Sequence, residues 1–268
     1  MQVTGNVFVV TGGGHGLGRE VVLGLPDRAA RVAAADLSAD GLAETASIAR
    51  AADRLSTHTV DITDRGAVDA LPEAVHAAHG RVDGLLNVAG IIQPFVRFAE
   101  LEPRQMEKVM AVNFWGVVHT TQAFLPHLTT RREAAVVNVS SMGALAPVPG
   151  QSVYGASKAA VMLLTEALYA ELRDTTVSVT VVFPGGVATH IAENSGASIP
   201  GRSADAADSA GSLTTAPAAA RQIIEKGVEK GHFRVVIGKD AIMLDRLSRL
   251  SPRRATELIA KKMESLLS

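Results

Sequence analysis

The sequence predicts one α/β domain, a doubly wound and mostly parallel sheet of seven strands with helices on both faces. Three observations carry that expectation. Seven short β-branched runs recur along the chain, with longer segments of helical period between them. The runs are apolar with little alternation, as strands buried on both faces must be, and parallel strands need helices to cross between them. At 268 residues with 47% hydrophobic and 20% charged side chains, the chain holds enough apolar material for a sizeable core.

The first run, Asn6 to Gly12, leads straight into TGGGHGLG, Thr11 to Gly18, where a strand turns into a helix. Gly12, Gly16 and Gly18 stand in the pattern G-x-x-x-G-x-G, so the backbone can turn tightly and aim free helix N–H groups at a pyrophosphate. The second run, Arg31 to Asp36, ends on an acid at roughly the 20-residue distance where a carboxylate meets a ribose 2′-hydroxyl. Such a carboxylate repels a 2′-phosphate, and Leu37 behind it supplies no cation, so NAD is expected over NADP. His15 argues weakly the other way, but a histidine near its ordinary pKa of about 6.5 is mostly neutral at pH 7.

The third run, LSTHTVD, ends at Asp61, and the fourth spans Val82 to Gly90. His76 and His79 lie between them on one helical stretch, where a solvated face is expected rather than a metal pair. The fifth run, Ala134 to Ser141, carries Asn138, Ser140 and Ser141, and alternation should turn Ser140 away from the side Ser141 faces. Thirteen positions after Ser141, Tyr154 opens a helical segment with Lys158 four residues on, which stacks phenol and ammonium on one face. Tyr169, later in the same segment, has no such partner and reads as a packing or subunit contact. The sixth run spans Val177 to Gly185. Residues His190 to Thr215 are small, polar and glycine-containing, as in a mobile loop or broken helix, and are expected to form a substrate lid. The seventh run, Arg234 to Gly238, precedes a helical extension over 240–268. There Ser251 and Pro252 open a helix with Leu258, Ile259, Met263, Leu266 and Leu267 on one stripe. That stripe needs a cover: its own domain, another subunit, or a membrane surface.

A net charge of −1 gives no footprint for nucleic acid or an anionic membrane, and no run approaches the length of a membrane span. The absence of cysteine excludes disulfides, thiolate catalysis and Cys-ligated zinc. With no targeting pattern in MQVTGNVFVVTGG, the cytoplasm is the expected location. No G-x-S-x-G elbow or G-K-[ST] loop anchors a hydrolase or NTPase reading.

Five motifs, in order, resemble the compact single-domain branch of the short-chain dehydrogenase/reductase family. They are TGGGHGLG, VDI with Asp61, NVAG at Asn87 to Gly90, NVSS followed by YGASK, and PGGVAT at Pro184 to Thr189. The resemblance covers nearly the whole chain and implies a Rossmann fold, a nicotinamide cofactor and a dimer or tetramer built on the helices containing Asn113 and Tyr154. It assigns catalysis to Asn113, Ser141, Tyr154 and Lys158. It assigns the cofactor site to Gly12, His15, Gly16, Leu17, Gly18, Asp36, Leu37, Asp61, Ile62, Asn87, Ala89, Gly90, Tyr154, Lys158, Pro184, Gly185, Val187 and Thr189. Asp61 would bind adenine, Thr189 the nicotinamide amide, Lys158 the ribose hydroxyls, and Asn113 a proton-carrying water. Val88 departs from the family's second asparagine, which puts one supporting hydrogen bond in doubt.

The implied reaction is hydride transfer between NAD and a secondary alcohol or ketone, with Tyr154 moving the proton. A neighbouring cation favours phenolate, so Lys158 is expected to pull the Tyr154 pKa down by roughly 1 to 3 units. Ile91, Ile92, Phe95, Met142, Leu145, Gly186, Val187 and Ile191 are the candidate substrate contacts, a set that suits a hydrophobic substrate such as a steroid, terpenoid or aliphatic alcohol. An NAD-binding redox sensor without turnover is the alternative, though it would not need the Tyr/Lys pair.

Overall fold

The computed structural model describes residues 1–49, 51, 53–198 and 213–264. The chain runs through β1 (Val7–Thr11), α1 (Gly16–Gly24), β2 (Arg31–Asp36), α2 (Ala39–Ala49), β3 (Leu55–Thr59), α3 (Arg65–His79) and β4 (Gly84–Asn87). It continues through α4 (Pro103–Met110), α5 (Gly116–Leu128), β5 (Ala134–Val139), α6 (Ser152–Leu172) and β6 (Val177–Pro184). Last come β7 (Val187–Ala188), α7 (Ile191–Asn194), β8 (Thr214–Thr215), α8 (Ala216–Gln222), β9 (Arg234–Ile237), α9 (Lys239–Leu250) and α10 (Pro252–Lys262). Seven of the strands form one parallel sheet in the order β3-β2-β1-β4-β5-β6-β9, and β7 pairs with β8 apart from it.

Alternation along the central strands divides the core into two layers. Phe8 and Val10 of β1 face a cluster with Val21 and Val22 of α1, Leu42 of α2, and Ile223 and Ile224. Val7 and Val9 face the other side, against Val68, Leu71 and Val75 of α3 and Phe124 and Leu128 of α5. Helices therefore cover both faces, as the unbroken apolar runs require. Strand order reverses between β1 and β4, so the loops leaving their C-terminal ends diverge and open a crevice there.

The structure corrects two expectations. The β3 run is not buried on both faces: it is the sheet edge, and most of its residues are partly or fully exposed. His79 is not on a solvated face, for its Nε2 lies 2.8 Å from Ser56 Oγ on β3. The C-terminal extension is two helices, and its buried contacts are Ala255 and Ile259, with Met263 partly buried beside them. Leu266 and Leu267 lie outside the described residues, as does 199–212 within the expected loop over 190–215. The described ends of that loop form α7 and the β7–β8 ladder. Among the described residues no helix is long and apolar enough to cross a membrane.

Candidate active site

The crevice holds a cavity of about 520 Å³, and the glycine turn forms its floor. Gly12 has φ +75°, and a Cβ there would fall 2.8 Å from Ala89 Cα in the turn after β4. A Cβ on Gly18 would fall 2.0 Å from the Gly12 carbonyl oxygen. Only glycine lets the two turns and the start of α1 approach this closely. His15, the N-cap of α1, makes no side-chain capping bond, and the first turn has no acid, so its N–H groups remain available to an anion.

Asp36 closes one end of the cavity. Its Oδ2 accepts the Gly14 N–H at 2.9 Å and its Oδ1 the Ser38 N–H at 2.9 Å, which orients the carboxylate and leaves a lone pair on each oxygen. The guanidinium of Arg19 is drawn away to Glu44 at 2.6 Å and the Gly14 carbonyl at 2.6 Å. The His15 ring lies against Gly41 of α2. Leu17, Leu37, Asp61 and Ile62 also line the cavity.

The turn after β4 is tied to β1 by Thr11, whose hydroxyl accepts the N–H groups of Val88 and Ala89 at 3.1 and 3.3 Å. Val88, Ala89 and Gly90 line the cavity, whereas Asn87 does not. Asn87 is buried behind it, donating to Asn138 Oδ1 at 2.8 Å and accepting from Thr120 at 2.8 Å. Its side chain thus braces β4 against β5 and α5 behind the turn it precedes. Asn113 is likewise behind the wall. A π-helical turn over Ala111–Trp115 swings it inward, and its amide clamps the Ile91 backbone through Ile91 N–H to Oδ1 and Nδ2–H to Ile91 O, both 2.9 Å.

Ser141 starts a short turn after β5, accepting the Gly143 N–H at 3.1 Å, and lines the same cavity as the Tyr154 phenol. Ser140 does not turn away from the side that Ser141 faces: both line the cavity, and the Ser140 hydroxyl donates to the Lys158 carbonyl at 2.8 Å, because the strand ends at Val139. Lys158 is 3% exposed and its ammonium donates to the Val139 carbonyl at 3.0 Å, in the space behind Gly90. In the chain alone the Tyr154 pKa is raised rather than lowered: burial pushes the phenol above its ordinary value, and the nearby Ser141 hydroxyl opposes this. Burial also pulls the Lys158 ammonium down to about 8.

Pro184, Gly185, Val187 and Thr189 line the cavity after β6, and Thr189 faces Gly16 across it. Of the candidate substrate contacts, Ile91, Ile92, Val187 and Ile191 line the cavity; Phe95, Met142, Leu145 and Gly186 do not. Sequence reasoning missed Lys108 and Asn194, which do. It also missed Asp240, whose Oδ2 accepts the Gly186 N–H at 2.7 Å and steadies the loop after β6. An acid in the first turn of a helix following Gly238 was the available signal.

A family model described as short chain dehydrogenase matches residues 6–199. The chain is 38% identical to the SadH protein of Mycobacterium tuberculosis over 96% of this chain and 94% of that one. Its fold is similar to a short-chain dehydrogenase/reductase from Burkholderia phymatum in complex with NAD, with TM-score 0.84, 27% identity, and 96% and 97% of the two chains covered. A short-chain dehydrogenase from Burkholderia cenocepacia in complex with NADP gives TM-score 0.81 and 25% identity over 97% and 99%. Sequence, topology and the Ser141, Tyr154 and Lys158 constellation converge: the chain belongs to the short-chain dehydrogenase/reductase family of oxidoreductases.

Proposed function

We propose that the protein is an NAD-dependent dehydrogenase of a secondary alcohol, or reductase of the matching ketone, with Tyr154 as general acid/base. The carrying observation is one cavity that joins the uncapped start of α1, the Asp36 carboxylate and the Ser141–Tyr154 pair backed by Lys158. The residues present fit a dinucleotide. The α1 N–H groups suit its diphosphate, Asp36 its adenosine ribose, Asp61 and Ile62 its adenine, and Thr189 with Lys158 its nicotinamide riboside. Asp36, with Arg19 already neutralised by Glu44, favours NAD over NADP. When bound, the nicotinamide supplies the hydride acceptor or donor.

The chain's own residues handle the proton. Ser141 holds the substrate oxygen beside the phenol, and Tyr154, kept protonated by burial, is set to donate to a carbonyl. Alcohol oxidation requires the reverse transfer and gains from any positive charge that lowers the phenol pKa. Asn113 positions the Ile91 segment of the wall. Ile91, Ile92, Val187 and Ile191 favour an apolar substrate. Exposed Trp115 and Leu163, beside Asn113 and on α6, support assembly into a dimer or tetramer through those helices.

The test is NADH formation with 2-octanol, cyclohexanol and bulkier secondary alcohols. Tyr154→Phe should bind NAD normally and turn over at under about a tenth of the wild-type kcat. Asp36→Ala should narrow the preference for NAD over NADP. Binding of NAD with no alcohol turned over would favour a sensor instead.

A further inference from the structure

Gln93 is fully buried, though it stands in an apolar loop, GIIQPF, that offers no reason for an amide. Its hydrogen bonds all run to the start of α6. Its Oε1 accepts the N–H groups of Val153 and Tyr154 at 2.9 and 3.0 Å, and its Nε2 donates to the Gly150 carbonyl at 2.9 Å. Its own carbonyl accepts Gln151 Nε2–H at 2.7 Å.

The first N–H groups of a helix have no partner within it and are usually satisfied by a short polar side chain at the N-cap. Here the N-cap is Gln151, which makes no capping bond because its amide is directed to Gln93. The cap is instead supplied from sixty residues away in sequence, and one of the two capped groups belongs to Tyr154 itself. The preceding residues of the same loop are tied elsewhere: Ile91 to Asn113, and the Ile92 N–H to Ser195 Oγ at 3.0 Å. Three consecutive residues thus link the turn after β4 to the π turn, to the C-terminal end of α7 and to α6.

We propose that Gln93 is a positioning residue for Tyr154, capping α6 in trans and fixing the phenol relative to the Gly90–Ile91 wall of the cavity. This rests on the reading of Tyr154 as acid/base. It predicts that the acceptor oxygen, not the bulk of residue 93, sets catalysis. Gln93→Met keeps the length and removes the acceptor. Gln93→Glu keeps the acceptor, adds a charge that a helix N-terminus favours, and gives up only the donor to Gly150.

The experiment compares wild type, both variants and Tyr154→Phe in kcat, pH profile and NAD affinity, with 2-octanol as substrate. Tyrosinate absorbance of the NAD-bound protein adds a readout without turnover. The chain has two tyrosines, so a Tyr169→Phe background reports Tyr154 alone. Gln93→Met should lose about tenfold in kcat, with NAD affinity within about twofold. Gln93→Glu should recover most of kcat and move the pH profile and the tyrosinate titration to higher pH by about half a unit, since its carboxylate opposes phenolate. Wild-type kcat in Gln93→Met, or equal loss in Met and Glu, overturns the proposal. If Gln93→Met does not fold, an unmoved titration in Gln93→Glu overturns it. A turning-over Tyr154→Phe would instead remove the acid/base reading, whatever the Gln93 variants do.

Discussion

Lys158 shows how chemistry and stability oppose each other at a single residue. Its ammonium is almost fully buried, its protein bond is to the neutral Val139 carbonyl, and among the described residues no carboxylate forms an ion pair with it. Burial therefore holds its pKa at about 8, against an ordinary 10.5. Below pH 8 the folded and unfolded chains both carry the proton, and the full cost of burying the charge is present. As pH rises from 8 towards 10.5, the folded chain sheds the proton first and that cost fades. The gap corresponds to an upper bound of about 3 kcal/mol. Lys158→Met should thus abolish turnover yet stabilise the cofactor-free protein by about 1–2 kcal/mol at pH 7, once the lost bond to Val139 is allowed for. The gain should vanish near pH 10. Chemical denaturation at both pH values checks this, and equal stability of the two proteins at pH 7 would refute it. The spacing of Tyr154 and Lys158 was legible because a helix brings i and i+4 together. The contacts of Gln93 and Asp240 were not, because their partners come from distant segments.

At the scale of elements, the edge of the sheet carries the least expected feature. Ser56 Oγ on β3 lies 2.7 Å from His58 Nε2 and 2.8 Å from His79 Nε2, so one hydroxyl joins the edge strand to the end of α3. Burial pulls both histidines below their ordinary 6.5; the charge of His79 adds to the effect on His58, and Arg31 to that on His79. The folded state holds the rings neutral while the unfolded chain takes up protons. Stability is thus intact above about pH 6.5 and is lost as pH falls through the folded values. The double change His58→Gln with His79→Gln should lose less melting temperature than wild type between about pH 7.5 and 5. Parallel losses would show that other groups govern acid sensitivity. The inner strands β1, β2, β4, β5 and β6 were readable because burial on both faces leaves unbroken apolar runs. The edge strand LSTHT was read as one more such run, its exposure being set by its place in the sheet, and the π turn that aims Asn113 leaves no trace in residue type.

At the scale of the whole molecule, two apolar layers cover the sheet, and a third, smaller cluster stands apart from both. Ala255 and Ile259 of α10 join Leu244 of α9 and Ala146 from the segment after β5, with Met142 and Val148 packed alongside. The segment so covered begins at Ser141. Sequence left three covers open for the C-terminal stripe; among the described residues, Ile259 and Met263 are covered by the chain's own domain, and the charges of Arg253 and Glu257 are turned outward and paired at 2.7 Å. Because the cluster is separate from the two main layers, its loss should loosen the Ser141 segment without dismantling the sheet. Ile259→Ala should cost roughly 2–4 kcal/mol, lower the melting temperature by about 5–10 °C, and leave far-ultraviolet dichroism unchanged. It should also raise KM for the alcohol several-fold while NAD affinity holds, since Leu17 and Val21 of α1 and Ala34 of β2, the elements that carry the glycine turn and Asp36, pack in the first layer and not in this one. An unchanged melting temperature would mean that the tail contributes nothing to the fold. A parallel loss of NAD affinity would mean that the three clusters act as one.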